Sequence, residues 1–259
     1  MNILDRIVAN KRKEIAERKL LVPAKKLEEF PLFAPDRISL AENILDKSGS
    51  GIIAEFKRRS PSAGLINGQA EPDRVVAGYF RYGASGASVL TDKMFFGGDC
   101  GDLSAARKAC YGPILRKDFI IDEYQVIESR ATGADAIILI AAILDKRNVS
   151  SLGKLARQLG LEVLLEIRSL SETGMIDCST SIIGVNNRNL GTFETDVNTS
   201  GNMIEHLPAE SIKISESGIS SPEAIRKLKA MGYNGFLIGE TFMREADPAL
   251  AFLNFVKSI

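Results

Sequence analysis

The chain has 259 residues, 45% of them apolar, and its 33 basic and 33 acidic side chains give a formal net charge of zero. Such a composition excludes disorder, and the balanced charge leaves no basic footprint for nucleic acid or an anionic membrane surface. Cys100, Cys110 and Cys178 are odd in number and lack metal-ligand spacing, so neither a disulfide framework nor a zinc site is predicted.

Residues 1–20 predict a helix, with Ile3, Leu4, Ile7, Val8, Ile15 and Leu20 on an apolar face and Asp5, Arg6, Lys11, Lys13 and Glu14 opposite. This stretch holds no run long enough for a signal peptide or a membrane span, which predicts a cytoplasmic protein acting on a small molecule. Pro23, Pro31 and Pro35 then break the pattern, residues 40–45 read as one more short helix, and Gly49-Ser50-Gly51 closes an extension over residues 1–50.

From residue 51 onward a rhythm sets in. Apolar runs at 52–56, 88–90, 114–115, 136–140, 163–167, 182–185, 212–214 and 236–238 predict strands. Helical stretches alternate with them, among them 71–82, 123–132, 149–159 and 222–231, and joints such as Tyr82-Gly83-Ala84 suit a tight return into a parallel strand. This alternation predicts an α/β fold, a single-domain (β/α)₈ barrel over residues 51–259 behind the helical extension. A doubly wound open sheet is the alternative. It would place Gly-x-Gly-x-x-Gly after its first strand, where this chain has Lys57-Arg58-Arg59-Ser60-Pro61.

Several predicted strands end in charge. The two-residue strand period puts Glu55 with Lys57, Leu115 with Lys117, Leu164 with Glu166 and Asn186 with Arg188, while Ser215-Glu216-Ser217-Gly218 ends the seventh run. A charged residue at the carboxyl end of a strand covered on both faces calls for a reason beyond solubility, and in barrels that end carries the active site. Converging lysines and carboxylates suit general acid-base work, because burial and neighbouring charges move their pKa values toward neutrality. His206, the only histidine, reads as a surface residue, so no nucleophilic triad is predicted; carboxylates mixed with lysines and lacking imidazole partners do not predict a metal centre either. Small residues at Ser217-Gly218-Ile219 and Gly239-Glu240 let backbone N–H groups approach a ligand, a pattern expected of a phosphate cradle after strands seven and eight.

These segments together resemble the indole-3-glycerol phosphate synthase family over nearly the whole chain. The resemblance is carried by Glu55-Phe56-Lys57-Arg58-Arg59-Ser60-Pro61-Ser62, Leu115-Arg116-Lys117-Asp118-Phe119-Ile120, Asn186-Asn187-Arg188-Asn189-Leu190 and Ser215-Glu216-Ser217-Gly218-Ile219. Arg168 stands where the family usually has His, and Thr241 where Ser or Ala is common. A sister phosphate-binding barrel, phosphoribosylanthranilate isomerase, would account for Gly218 and Gly239 but not for the set of Lys57, Lys117 and Glu166.

The resemblance implies a carboxy-lyase that needs no cofactor or metal. Its reaction closes an indole ring on 1-(2-carboxyphenylamino)-1-deoxyribulose 5-phosphate with loss of carbon dioxide and water. By resemblance Lys117 and Lys57 are the acids, Glu166 the base and Glu55 their partner. Asn186, Arg188, Ser217 and Glu216 would hold the substrate, and Phe119 and Leu139 would wall the aromatic ring. The phosphate is expected on the backbone near Gly218, Gly239 and Glu240, with Lys57 and Ser60 adding contacts and the Glu240 carboxylate turned away. A monomer is expected, with room for a tryptophan-pathway partner.

Overall fold

In the computed structural model, which describes residues 2–189 and 191–259, the eight apolar runs are parallel strands of one closed barrel. Met1, and Leu190 of the Asn186–Leu190 motif, lie outside the described residues. The strands are β1 (Ile52–Phe56), β2 (Gly86–Leu90), β3 (Ile114–Lys117), β4 (Ala136–Ile140), β5 (Glu162–Ile167), β6 (Ile182–Asn186), β7 (Ile212–Glu216) and β8 (Gly235–Ile238). Each pairs with its neighbour in sequence, and β8 returns to β1 through Ile52 opposite Phe236. Nearly every strand residue is buried, as a sheet covered on both faces requires.

Alternation along the strands sorts the apolar side chains into two layers. Ile53, Leu115, Ile138, Leu164, Ile182, Ile214 and Leu237 fill the barrel interior. Ile52, Phe56, Val89, Ile137, Leu139, Val163, Leu165 and Phe236 pack outward against the helices. The outer helices include α4 (Pro72–Arg81), α6 (Cys100–Ala109), α7 (Glu123–Thr132), α8 (Lys146–Gln158), α10 (Pro222–Met231) and α12 (Pro248–Val256). The predicted 149–159 helix starts earlier, at Lys146, because the Asp145 side chain accepts from the Asn148 N–H at 2.7 Å and caps that turn. Short helices α5 (Lys93–Phe96), α9 (Asn198–Met203) and α11 (Glu240–Met243) complete the layer, and a small hairpin joins Arg59–Ser60 to Gly64–Leu65 after β1.

The extension forms α1 (Ile3–Leu21), α2 (Ala24–Leu27) and α3 (Leu40–Leu45). Asn2 and Asp5 close a capping box at the start of α1. The buried face of α1 differs from the predicted one: Ile7, Lys11 and Ile15 are buried, whereas Leu20 is 85% exposed. Those three positions share a stripe at four-residue spacing, so Lys11 lies on the face turned to the barrel. At the other end of the barrel, Leu40 packs against Gly86 and Ile44 against Gly235, the first residues of β2 and β8. Glu162, at the start of β5, accepts from Ser39 Oγ at 2.6 Å and from the Leu40 and Ala41 N–H groups at 2.7 and 3.0 Å, so α3 seals the amino-terminal end. No helix among the described residues is long and apolar enough to cross a membrane.

Candidate active site

The carboxyl ends of the strands enclose a cavity of about 450 Å³. Its floor is a charge cluster built by strand alternation. Glu55 points inward from β1 and bridges two lysines: its Oε1 lies 2.6 Å from Lys57 Nζ and its Oε2 lies 4.0 Å from Lys117 Nζ. Lys117, at the end of β3, also reaches Glu216 Oε2 of β7 at 2.8 Å and Glu166 Oε2 of β5 at 3.6 Å. Two ammonium groups thus meet three buried carboxylates. Two glycines make the room: a Cβ on Gly239 would stand 2.6 Å from Glu55 Oε1, and a Cβ on Gly184 would overlap the Glu216 carboxylate.

Opposite walls of the cavity differ in character. On the side of β2 to β4, Phe96, Phe119 and Ile140 form an apolar wall, with the two aromatic rings 5.8 Å apart. On the side of β6 to β8 the wall is polar. Asn186 accepts from the Arg188 N–H at 2.9 Å, and the Arg188 guanidinium donates to Ser62 Oγ at 2.8 Å and contacts Glu240 Oε2 at 3.3 Å. Ser217 and Gly218 both hold positive φ, 68° and 75°, in a turn fastened by Asn187, whose amide donates to the Ser217 carbonyl and to Ser215 Oγ, both at 3.1 Å. Thr241 donates to the Ile219 carbonyl at 3.1 Å and ties the loop after β7 to the one after β8. Ser60 is buried at the rim, where its hydroxyl accepts from the Ala63 N–H at 3.1 Å.

Burial and neighbouring charge set the protonation of this cluster. Burial disfavours the Lys117 ammonium, but Glu216, Glu166 and Glu55 around it outweigh that and hold its pKa above the ordinary lysine value. Burial likewise opposes the Glu55 carboxylate, yet Lys57 and Lys117 hold its pKa below the usual range. Glu216 goes the other way: burial, helped by Glu166 and Glu55, outweighs Lys117 and pushes its pKa up to about 7. The group brought near neutrality is therefore the Glu216 carboxyl and not the Lys117 ammonium.

Comparison with known proteins bears directly on this arrangement. The sequence model of the family described as "Indole-3-glycerol phosphate synthase" matches residues 4–255. The chain belongs to the indole-3-glycerol phosphate synthase family. A protein of that name from Bacteroides thetaiotaomicron is 48% identical over 258 residues, covering 100% of this chain and 99% of the relative. One from Albidiferax ferrireducens is 41% identical over 254 residues, covering 96% of each. Among solved structures, 3-hexulose-6-phosphate synthase from Salmonella typhimurium aligns with a TM-score of 0.62 at 12% identity, over 80% of this chain and 97% of that one. Thiamine phosphate pyrophosphorylase from Pyrococcus furiosus aligns at 0.60 and 14%, over 84% and 96%. At such identities these two attest the barrel alone.

Of the residues singled out from the family pattern, Glu55, Lys57, Ser60, Lys117, Phe119, Glu166, Asn186, Arg188, Ser217, Gly218, Gly239 and Glu240 all line the cavity. Glu216 reaches the same cluster through Lys117. Leu139 is a correction: it points outward into the helix layer, and its neighbour Ile140 lines the cavity instead. Strand β4 carries no polar residue to mark its inner face, so its parity was not visible from its own residues. Gly239 lines the cavity, and Glu55 fills the space where a Cβ on it would stand. Glu240 turns its carboxylate to Arg188 and Arg244. The departure at Arg168 stays out of the cavity lining, while His206 is exposed on a short 3₁₀ turn. Sequence reasoning missed Phe96, Asn187 and Gly184, although a glycine inside a buried strand is itself a sign of close approach.

Proposed function

We propose that this chain closes the indole ring of 1-(2-carboxyphenylamino)-1-deoxyribulose 5-phosphate, with the lysines and carboxylates of the barrel mouth as its acids and bases. The observation that carries the reading is the Lys117 ammonium held among Glu216, Glu166 and Glu55, with Glu55 shared by Lys57. An acid must deliver a proton where negative charge develops, and a buried ammonium fixed by three carboxylates is oriented before the reaction starts.

The aromatic carbon bearing the carboxylate attacks the ribulose ketone, and the ketone oxygen takes a proton from Lys117. Loss of carbon dioxide returns the ring electrons. The new hydroxyl then leaves as water on a proton from Lys57, and Glu166 takes the proton released as the indole double bond forms. Glu55 holds both lysines in place and favours the charged form of Lys117, and Glu216 can return a proton to Lys117, which it touches at 2.8 Å.

The two walls orient this substrate. Phe96, Phe119 and Ile140 suit the benzoate ring, while Asn186 and Arg188 suit its polar substituents. The phosphate belongs at the glycine-containing turn of Ser217 to Ser220 and the start of α11, segments that line the cavity and whose backbone N–H groups suit an anion. Lys57 and Ser60 follow β1, the strand that pairs with β8, and line the same cavity. One chain supplies every group named, so a monomer suffices, and three free cysteines fit a reducing cytoplasm.

Incubation with the carboxyphenylamino substrate tests the reading directly. The product's indole absorbance and fluorescence should grow in, against a background free of tryptophan because the chain has none. A purified, folded protein that left the substrate unchanged would refute the activity.

A further inference from the structure

We propose that Lys11, from the amino-terminal extension, is a positioning residue that locks together the two loops carrying the aromatic wall of the active site. Its side chain is 1% exposed, and its Nζ lies 3.0 Å from Asp92 Oδ2, 2.9 Å from Asp118 Oδ1 and 2.9 Å from Glu14 Oε2. Asp92 follows β2 and Asp118 follows β3, so one ammonium from α1 bridges the carboxyl ends of two adjacent strands.

Both carboxylates hold elements of the cavity. Asp92 caps α5, its Oδ1 accepting from the Phe95 and Phe96 N–H groups at 2.8 and 3.3 Å, and so sets where Phe96 stands. Asp118 sits between Lys117 and Phe119. Its Oδ1 accepts from the Phe119 N–H at 2.8 Å, and its Oδ2 accepts from Thr91 Oγ1 at 2.6 Å and from Arg116 at 3.0 Å. The Thr91 N–H in turn donates to the Lys117 carbonyl at 3.1 Å.

Arg116 offers Asp118 a second cation. Among the described residues, Asp92 has an ion pair with Lys11 alone. Asp92 and Asp118 are themselves 0% and 2% exposed, so without Lys11 two buried carboxylates would face each other with that bridge gone. Relief comes most simply from separation of the two loops, which moves Phe96 away from Phe119. Replacing a buried ion pair with packed apolar groups is often neutral or stabilising, so stability alone gives no reason for an ammonium here. Fixing the wall does give one.

This assignment rests on the ring-closing reading, with the benzoate end at Phe96 and Phe119 and the phosphate end across the cavity on β7 and β8. It therefore makes a selective prediction. In Lys11→Met, binding of 2-aminobenzoate, followed by its own fluorescence, should weaken on the order of tenfold or more, with a matching fall in kcat. Inorganic phosphate, followed by calorimetry, should bind within about twofold of wild type because its end of the site shares no partner with Lys11. Asp92→Asn keeps an oxygen for the α5 cap but gives up the charge, and should show the same selectivity if Lys11→Met does not fold. Unchanged affinity for 2-aminobenzoate, or parallel weakening of both ligands, overturns the assignment. Wild-type turnover, measured alongside, tests the activity separately.

Discussion

The space above Gly184 on β6 is filled by the carboxylate of Glu216 from β7, the strand beside it. Asn186 pairs with Glu216 in the sheet register, so Glu216 can reach Lys117 only by leaning over a residue without a side chain. This relationship links a backbone choice on one strand to the protonation of a group on another. Gly184→Ala forces the carboxylate aside, and overpacking of this kind costs about 1–3 kcal/mol. At roughly 2–4 °C per kcal/mol for a chain of this size, differential scanning calorimetry should show the lowered Tm, with turnover falling as well. An alanine variant with wild-type Tm and rate would show that Glu216 has another place to go.

Glu216 also gives stability a pH dependence with a definite sign. Its pKa rises from an ordinary 4.5 to about 7 on folding, so between those values the native state holds a proton that the unfolded chain has released. Stability from this group is therefore present below about pH 4.5 and is lost as pH rises toward 7, a loss of a few kcal/mol. Glu216→Gln cannot ionise. Relative to wild type its Tm should improve from pH 5 to pH 8, and thermal melts at the two values decide it. An identical difference at both would mean that Glu216 titrates at its ordinary value.

Lys117→Ala and Glu166→Gln should each lower kcat by a factor on the order of 10² or more, because acid-base groups act mainly in the transition state. Circular dichroism should show the fold retained. The two substitutions should combine less than additively, since Lys117 and Glu166 lie 3.6 Å apart and share one cluster. Full multiplication of their separate effects would argue that they act in independent steps.

The barrel was legible in the sequence because strand and helix periods alternate from residue 51, and the charged mouth because Lys117, Glu166 and Asn186 break apolar runs at their carboxyl ends. Three features were not legible, for physical reasons. Lys11 reads as solvated in a helical pattern, and only Asp92 and Asp118, from strands far along the chain, make its burial favourable. Strand β4 is apolar throughout, so nothing within it tells Leu139 from Ile140. The third is why residue 239 has no side chain: a Cβ there would stand against Glu55 of the neighbouring strand, a contact set by the register between β1 and β8. A bulky residue at 239 would therefore disturb Glu55 and, through it, both lysines.

Deletion of residues 1–45 should weaken the protein at both ends of the barrel at once. At the amino-terminal end it removes Leu40 and Ile44, both nearly fully buried, and burying side chains of this kind contributes about 1.5–3 kcal/mol each. Glu162 would also lose the three donors it accepts from at Ser39, Leu40 and Ala41. At the carboxyl end the deletion strips Lys11 from Asp92 and Asp118, the pair that places Phe96 and Phe119. Lost stability and a poorer site are separable by temperature. At 15 °C, where the truncated barrel is expected to remain folded, KM should still be raised if the extension shapes the aromatic wall. A truncated protein with wild-type KM at low temperature but a lowered Tm would confine the extension to sealing the barrel, and one with wild-type values of both would make α1 and α3 dispensable.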